Sequence, residues 1–219
     1  MLQAREATTI ARMLTLYYAP GTCALATHLA LEYAGVAYEA VRLNFKEQQQ
    51  RSADYLRINP KGRVPALVTP QGVLTETPAL LQYVAQTHPE AKLAPLGDPF
   101  RLAKMNEFNS YLCSTVHVTH AHGARGYRWT DDPQAVEAMK KKVPQNMGEC
   151  FEMIETRMFQ GPWVLGEDFS TSDLYLYTVA RWLQGDQVDV QRFPRVADLL
   201  RRMDAQPQVQ KVLAAQRAA

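Results

Sequence analysis

Apolar and polar positions follow different patterns in the two halves of the chain, and the first half mixes strand and helix patterns. An apolar run over 13–18 is followed by a helical pattern over 22–34 and an alternating pattern over 38–43. Strand–helix–strand at this spacing predicts a parallel βαβ unit with a right-handed crossover. Both faces of the first strand are largely apolar, so we expect it at the centre of the sheet. Gly35 occupies the position of a C-terminal helix cap.

A hairpin and two helices follow this unit. We predict a short helix over 53–58 and two strands over 64–68 and 73–75, because a Pro-Gln-Gly turn separates the two apolar runs. Pro65 stands second in its strand and cannot donate to a β-ladder, which places it at an edge, at a strand start or in a cis bond. The next helix is predicted over 77–86, with a proline in its first turn.

The second half contains only helical patterns. Helices are predicted over 100–122, 133–159, 171–182, 193–203 and 207–215. Ser170 and Asp173 match a capping box ahead of the third of these helices, and replacing Asp173 by alanine is expected to cost about 1–2 kcal/mol. Proline-rich, aperiodic residues between the two halves indicate a domain boundary. The predicted organisation is an extension over 1–12, a mixed domain over 13–88, a linker over 89–99 and a helical domain over 100–219.

Composition and charge narrow the class of protein. The hydrophobic fraction of 47% and the charged fraction of 21% are typical of a globular protein that is soluble in water. A net charge of +2 gives no bulk electrostatic reason to expect nucleic acid or an anionic membrane as a partner. No apolar run approaches the roughly 18 residues that a membrane helix needs. The first twelve residues lack the apolar core of a secretory signal, and Met13 could be the natural start.

One of the three cysteines stands in a chemically specific context. Cys23, Cys113 and Cys150 are too few and too scattered for a disulfide framework, which favours a reducing cytoplasm. Cys23 follows a strand and a Pro-Gly turn at the start of a helix, where N–H groups and the helix dipole stabilise a thiolate. It could be a nucleophile, part of a shelf for the thiolate of a bound ligand, or a buried structural cysteine.

Three motifs resemble those of the cytosolic glutathione transferases, and the first resembles the bacterial beta class most. They read YAPGTC over 18–23, NPKGRVPAL over 59–67 and LTETPALLQY over 74–83. With the helical second half, the resemblance extends from Met13 to about Ala215. It implies a thioredoxin-like α/β domain followed by an all-α domain, usually in a cytoplasmic homodimer. Glutathione is the implied co-substrate, and the implied second substrate is a hydrophobic electrophile.

The resemblance also implies positions for glutathione. In the family, the proline at Pro65 is cis, and the backbone of Val64 pairs with the cysteinyl unit like an added strand. The Thr77 hydroxyl and the helix N–H groups suit the γ-glutamyl carboxylate, and Glu76 suits its ammonium. Lys46 resembles the basic residue that binds the glycyl carboxylate. The alternatives are a plain helix cap at Glu76 and Thr77, and a solvated loop lysine at Lys46.

Three further residues complete the implied site. His117 occupies the position where beta-class proteins place a histidine over the active site, and it could hydrogen-bond the sulfur, move a proton or be an ordinary helix histidine. Tyr18 is the family's strand-end tyrosine, which stabilises the thiolate in other classes. Since alternation puts Tyr17 and Tyr18 on opposite faces, only one can face the site. Two departures, Ser110 in place of asparagine and Ala24 in place of serine, bear on conjugation more than on binding.

The leading hypothesis is conjugation of glutathione to electrophiles. A mixed disulfide between glutathione and Cys23 would instead give disulfide reductase activity. A non-catalytic protein of the same fold that binds glutathione or an apolar ligand is the rival, and a glutathione-dependent isomerase or dehalogenase is a third option. We expect no metal, because only His117 and His120 of the nearby histidines share a helix face and no other ligand completes the set.

Overall fold

The computed structural model describes residues 13–218. The predicted extension over 1–12, and with it the question of whether Met13 is the natural start, lies outside the described residues. The described chain forms two compact units. One comprises the described residues up to Leu93 together with those from Pro207 onward, and the other runs from residue 94 to residue 206. The last helix thus groups with the mixed unit, whereas the predicted division placed it in the helical domain.

Four strands form the sheet of the first unit, in the order β2–β1–β3–β4. They are β1 Leu14–Tyr18, β2 Tyr38–Arg42, β3 Ala66–Thr69 and β4 Gly72–Thr75. β1 runs parallel to β2 and antiparallel to β3, and β4 forms a hairpin with β3. The predicted parallel βαβ unit and the central position of the first strand are confirmed. β3 begins two residues later than predicted, because Val64 and Pro65 precede the ladder.

The helices are α1 Ala24–Tyr33, α2 Ala53–Ile58, α3 Thr77–Thr87, α4 Pro99–Tyr111, α5 His117–Arg125, α6 Pro133–Met153, α7 Thr171–Ala180, α8 Pro194–Asp204 and α9 Pro207–Ala218. In the first unit, α1 packs against β1, α3 and α9. Because a strand and two helices pack around α1, every residue from Ala24 to Leu31 is buried. The order of strands and helices up to α3 is that of the predicted thioredoxin-like domain.

Two contacts attach the last helix to α1. Lys211 Nζ lies 2.6 Å from Glu32 Oε1 at the surface. Deeper in the unit, Gln216 Nε2 lies 3.1 Å from His28 Nδ1. The first contact is exposed on the lysine side, whereas the second joins two buried side chains. The α1–α9 packing therefore includes a buried polar contact between residues 188 positions apart.

The described residues of the second unit form helices and loops with no β-strand, and two of its helices end in π-helical turns. Leu112–Val116 connects α4 to α5, and Ile154–Met158 extends α6. Pro144 lies inside α6, which continues on both sides of it from Pro133 to Met153. No helix in the described range is long and apolar enough to cross a membrane.

The predicted capping box is present at the start of α7, every residue of which is buried. Asp173 is fully buried and accepts hydrogen bonds from the Val164 N–H at 2.8 Å, the Ser170 N–H at 2.8 Å and the Ser170 hydroxyl at 3.2 Å. Burial raises the pKa of Asp173 to about 7, and the hydrogen bonds from Val164 and Ser170 act in the opposite direction. The carboxylate therefore caps α7 through Ser170 and also binds the preceding loop through the Val164 N–H.

Candidate active site

The Cys23 thiol lies at the start of α1, as the sequence predicts. Cys23 immediately precedes the first helical residue and already has helical φ and ψ of −60° and −15°. The Thr22 hydroxyl donates to the Ala19 carbonyl at 2.7 Å and accepts from the Ala24 N–H at 3.3 Å. Gly21 supplies the left-handed conformation of the preceding turn, with φ of 73°. The turn is thus fixed by its own residues and presents the thiol at the end of β1.

A hydrogen bond joins Cys23 to the segment before β3. The Sγ atom donates to the Val64 carbonyl oxygen at 3.6 Å, and the exposed fractions of the two residues are 7% and 8%. The bond between Val64 and Pro65 is cis, as the family resemblance implies. A peptide lying along the Val64 backbone would therefore have its side chain close to the Cys23 sulfur.

Two side chains that the sequence did not suggest hold the residue before Val64. The Tyr55 hydroxyl and the Asn59 side-chain amide each donate to the Arg63 carbonyl oxygen at 2.6 Å. Both donors are buried, with exposed fractions of 3% and 1%. The asparagine belongs to the NPKG motif, which is the only sequence signal for this support. Its effect is to fix the backbone beside the thiol.

The Glu76–Thr77 corner lies at the same end of the hairpin as Val64 and Pro65, because Ala66 pairs with Thr75. Glu76 has φ of 73° and ψ of 117°, an uncommon conformation for a residue with a side chain, and α3 begins without a side-chain cap. The Glu76 side chain therefore does not cap α3. The first turn of α3 retains the positive end of the helix dipole, which suits an anion.

Lys61 makes further contacts at this corner, and the sequence did not assign it a role. Its Nζ donates to the Thr75 hydroxyl oxygen at 2.6 Å and to the Glu76 carboxylate. Its own N–H donates to the Asn59 side-chain oxygen at 3.2 Å. The NPKG motif thus contacts both the Val64 side and the Glu76 side of the site.

The two strand-end tyrosines lie on opposite faces of β1, as alternation predicts. The Tyr18 ring packs 5.1 Å from the His28 ring of α1, and the Tyr17 ring packs 5.5 Å from the Tyr55 ring of α2. Tyr18 is only 2% exposed, and burial raises the pKa of its hydroxyl. A raised pKa keeps the hydroxyl protonated, as a hydrogen-bond donor to a thiolate must be, and the role of Tyr18 in activating a thiol stays a prediction.

Lys46 lies in the loop between β2 and α2. Its side chain is exposed, and its N–H donates to the Asn44 side-chain oxygen at 3.0 Å. This bond shapes the loop through the backbone and leaves the ammonium at the surface. The placement agrees with both a ligand-binding lysine and a solvated one.

In the helical unit, two of the three nearby histidines share one tryptophan. His117 is the first residue of α5, and its ring centroid lies 5.0 Å from that of Trp182. His120 stacks on the same indole at 4.4 Å, and its Nδ1 lies 2.8 Å from Asp186 Oδ2. His122 contacts a different tryptophan. Within the described range, no three His, Cys, Asp or Glu side chains are grouped so that they could hold a metal ion.

Ser110 lies on the exposed side of α4, where its carbonyl oxygen accepts from the Ser114 hydroxyl at 2.8 Å. The adjacent Asn109 is 1% exposed and accepts from the Ser172 hydroxyl at 3.0 Å. Asn109 is therefore a core residue of the helical unit. It cannot replace the asparagine that the family pattern has at the position of Ser110.

Comparison with known proteins identifies the family. The model of the glutathione S-transferase N-terminal domain matches residues 12–86, and that of the C-terminal domain matches residues 117–216. The glutathione S-transferase GstA of Escherichia coli O157:H7 is 30% identical over 204 residues, which span 92% of this chain and 98% of GstA. The chain belongs to the glutathione S-transferase family.

Solved glutathione transferases have the same fold as this one. A homologue from Sulfitobacter with bound glutathione is 45% identical, with a TM-score of 0.90 over 93% of this chain and 98% of the homologue. The beta-class enzyme of Sphingomonas chungbukensis is 28% identical, with a TM-score of 0.80 over 92% of this chain and 98% of that enzyme. The predicted family and the predicted glutathione transferase fold are thereby confirmed. The roles of individual residues stay predictions.

Proposed function

We propose that this glutathione transferase joins the glutathione thiol to electrophilic small molecules. The observation that carries the proposal is the 3.6 Å hydrogen bond between Cys23 Sγ and the Val64 carbonyl oxygen. The contact places the Cys23 sulfur beside an anchored peptide backbone, at a helix start whose N–H groups and dipole favour a thiolate. The Glu76–Thr77 corner, with the positive end of α3, lies at the same end of the hairpin. Glutathione has a group that suits each of these three features. Its peptide backbone suits the Val64 segment, its thiol suits the start of α1, and its zwitterionic head suits the Glu76–Thr77 corner.

In the proposed complex, the cysteinyl unit pairs with the Val64 backbone beside Pro65. The γ-glutamyl head takes the Glu76–Thr77 corner: the helix start and the Thr77 hydroxyl receive the carboxylate, and the Glu76 carboxylate receives the ammonium. Lys46 is proposed for the glycyl carboxylate. The family resemblance alone supports proton transfer by His117 and a polar contact by Ser110.

The proposed reaction is displacement at an electrophilic carbon. Glutathione loses its thiol proton, the sulfur forms a bond to carbon, and the leaving group departs with its electron pair. N–H groups and the dipole at the start of α1 favour the thiolate over the thiol. No metal is needed for any of these steps.

The position of Cys23 favours disulfide exchange as a second candidate activity. The Cys23 thiolate would attack the glutathione sulfur of a mixed disulfide and release the other thiolate. This step leaves a disulfide between Cys23 and glutathione. A second glutathione thiolate would then attack the glutathione sulfur of that disulfide, which yields oxidised glutathione and frees the Cys23 thiolate. This sequence needs only glutathione as reductant.

A Cys23→Ala variant assayed for both reactions tests these proposals. Calorimetry first measures binding of glutathione, and turnover is then measured with a panel of electrophiles and with a glutathione mixed disulfide. Retained conjugation with lost disulfide reduction would assign Cys23 to exchange alone. No change in either rate would refute a catalytic Cys23. Glutathione binding without turnover on any electrophile would favour the non-catalytic rival.

The family resemblance also supports a homodimer that works in cytoplasmic detoxification with hydrophobic electrophiles. Light scattering on the purified protein measures its mass directly. A monomeric mass at micromolar concentration would contradict the proposed dimer.

A further inference from the structure

Lys61 connects three parts of the candidate site. The side-chain oxygen of Asn59 accepts from the Lys61 N–H at 3.2 Å, which fixes the lysine backbone. At the other end, Nζ donates to the Thr75 hydroxyl oxygen at 2.6 Å and to Glu76 Oε1. Lys61 is thus held both at its backbone and at its ammonium group. One partner of its ammonium group is Glu76, the residue proposed to receive the α-ammonium of the ligand.

Glu76 needs such a partner. Its side chain is 59% exposed, so without a contact it would sample several rotamers. The backbone at Glu76 has φ of 73° and ψ of 117°, a strained conformation that persists where the surroundings impose it. The side chain makes no capping bond to α3. The Lys61 contact is therefore the interaction that sets the direction of this carboxylate.

We propose that Lys61 is a positioning residue for recognition of the γ-glutamyl head, an inference that rests on the proposed function. Lys61 binds one oxygen of the Glu76 carboxylate, Oε1, and thereby presents the other oxygen to the α-ammonium of the ligand. The like charges of Lys61 and that ammonium repel each other. Because Lys61 is paired with the exposed Glu76 carboxylate, the pair carries no net charge, and its direct electrostatic effect on the head is small in either ligand.

A pair of ligands isolates this role. The first is glutathione, and the second is glutaryl-cysteinyl-glycine, which lacks only the α-amino group. Calorimetry gives the dissociation constants for wild type, Lys61→Met and Lys61→Arg. Lys211→Met is the matched control, because it removes another lysine that pairs with a glutamate in the same unit.

Lys61→Met should weaken glutathione binding about fivefold, the upper range for one exposed ion pair, and should leave the deaminated analogue within twofold of wild type. Lys61→Arg should restore most of the loss, since a guanidinium also reaches a carboxylate oxygen. In turnover, KM for glutathione should rise while kcat stays constant. Lys211→Met should change none of these values.

Removing the Glu76 side chain provides a second test. In a Glu76→Ala background, Lys61→Met should have no further effect on glutathione binding, because the carboxylate that Lys61 orients is gone. The positioning role is overturned if Lys61→Met weakens binding of both ligands equally or leaves glutathione binding unchanged. It is also overturned if Lys61→Met weakens glutathione binding as much in the Glu76→Ala background as in wild type. A wild-type protein that binds neither ligand would overturn the proposed function itself, and with it this inference.

Discussion

His28 is a buried titratable group that ties α1 to α9. It is 2% exposed, and its ring lies between those of Tyr18 and Tyr38, at centroid distances of 5.1 and 5.4 Å. The Gln216 side-chain nitrogen, 3.1 Å from Nδ1, can only donate, so this contact needs a neutral imidazole with Nδ1 as acceptor. Burial lowers the pKa of His28 from 6.5 to about 4, and the charge of Glu32 opposes this shift.

The sign of the stability effect follows from these pKa values. In the unfolded chain His28 binds a proton below about pH 6.5, whereas in the folded protein it does so only below about pH 4. Its contribution to stability is therefore complete above pH 6.5 and is lost as the pH falls from about 6.5 to about 4. A gap of about 2.5 pH units at 1.36 kcal/mol per unit corresponds to about 3.4 kcal/mol.

Urea unfolding of wild type and His28→Gln between pH 8 and pH 5 measures this loss. Wild type should lose its stability advantage over the variant by about 1.4 kcal/mol per pH unit below pH 6.5. His88→Gln, which removes a less buried histidine of the same unit, is the control and should keep the wild-type pH dependence. An NMR titration that places the pKa of His28 near 6.5, or equal slopes for wild type and His28→Gln, would refute the reasoning.

Three other predictions concern the proposed ligand site and the helical unit. Lys46→Ala should weaken glutathione binding about fivefold and leave binding of γ-glutamylcysteine unchanged, because that ligand lacks the glycyl carboxylate. Calorimetry measures both dissociation constants, and an equal loss of affinity for the two ligands would refute the assignment. Asp173→Ala should lower the free energy of unfolding by about 3 kcal/mol, since three buried donors lose their acceptor, and a loss under about 1 kcal/mol in urea would contradict this. Glu76→Gly should be more stable than Glu76→Ala by about 1–3 kcal/mol in the same assay, because glycine tolerates positive φ; the reverse order would show an unstrained backbone.

Local patterns in the sequence were sufficient for two of the three strand pairings of the sheet. The strand–helix–strand spacing placed β2 parallel to β1, and the Pro-Gln-Gly turn paired β3 with β4. The two apolar faces of β1 indicated its central position, but no local pattern predicted that β3 would be its antiparallel neighbour. The two predicted pairings depend on residues close in sequence. The grouping of α9 does not, since it involves contacts such as that between His28 and Gln216, 188 positions apart. A helical pattern predicts that α9 exists, but it carries no information about which helix α9 packs against.

The histidines of α5 illustrate a second limit. The π-helical turn over 112–116 closes its ring with one more residue than an α-helical turn, so the faces on either side of it are no longer in simple 3.6-residue register. No local pattern marks this turn in the sequence. Likewise, Asp186 lies 66 positions from His120, and only the folded helical unit brings the carboxylate to the imidazole.

Glu76 is the position where local sequence and observed structure disagree most. A positive φ at the junction of a strand and a helix favours glycine, and glycine would adopt it without strain. The chain has a glutamate there, with φ of 73°, and its carboxylate contacts Lys61 instead of capping α3. Strained backbone of this kind, which costs roughly 1–3 kcal/mol, clusters at ligand-binding and active sites. Because capping is absent and the carboxylate is exposed at the start of a helix, we infer that its contribution is to ligand recognition and not to folding.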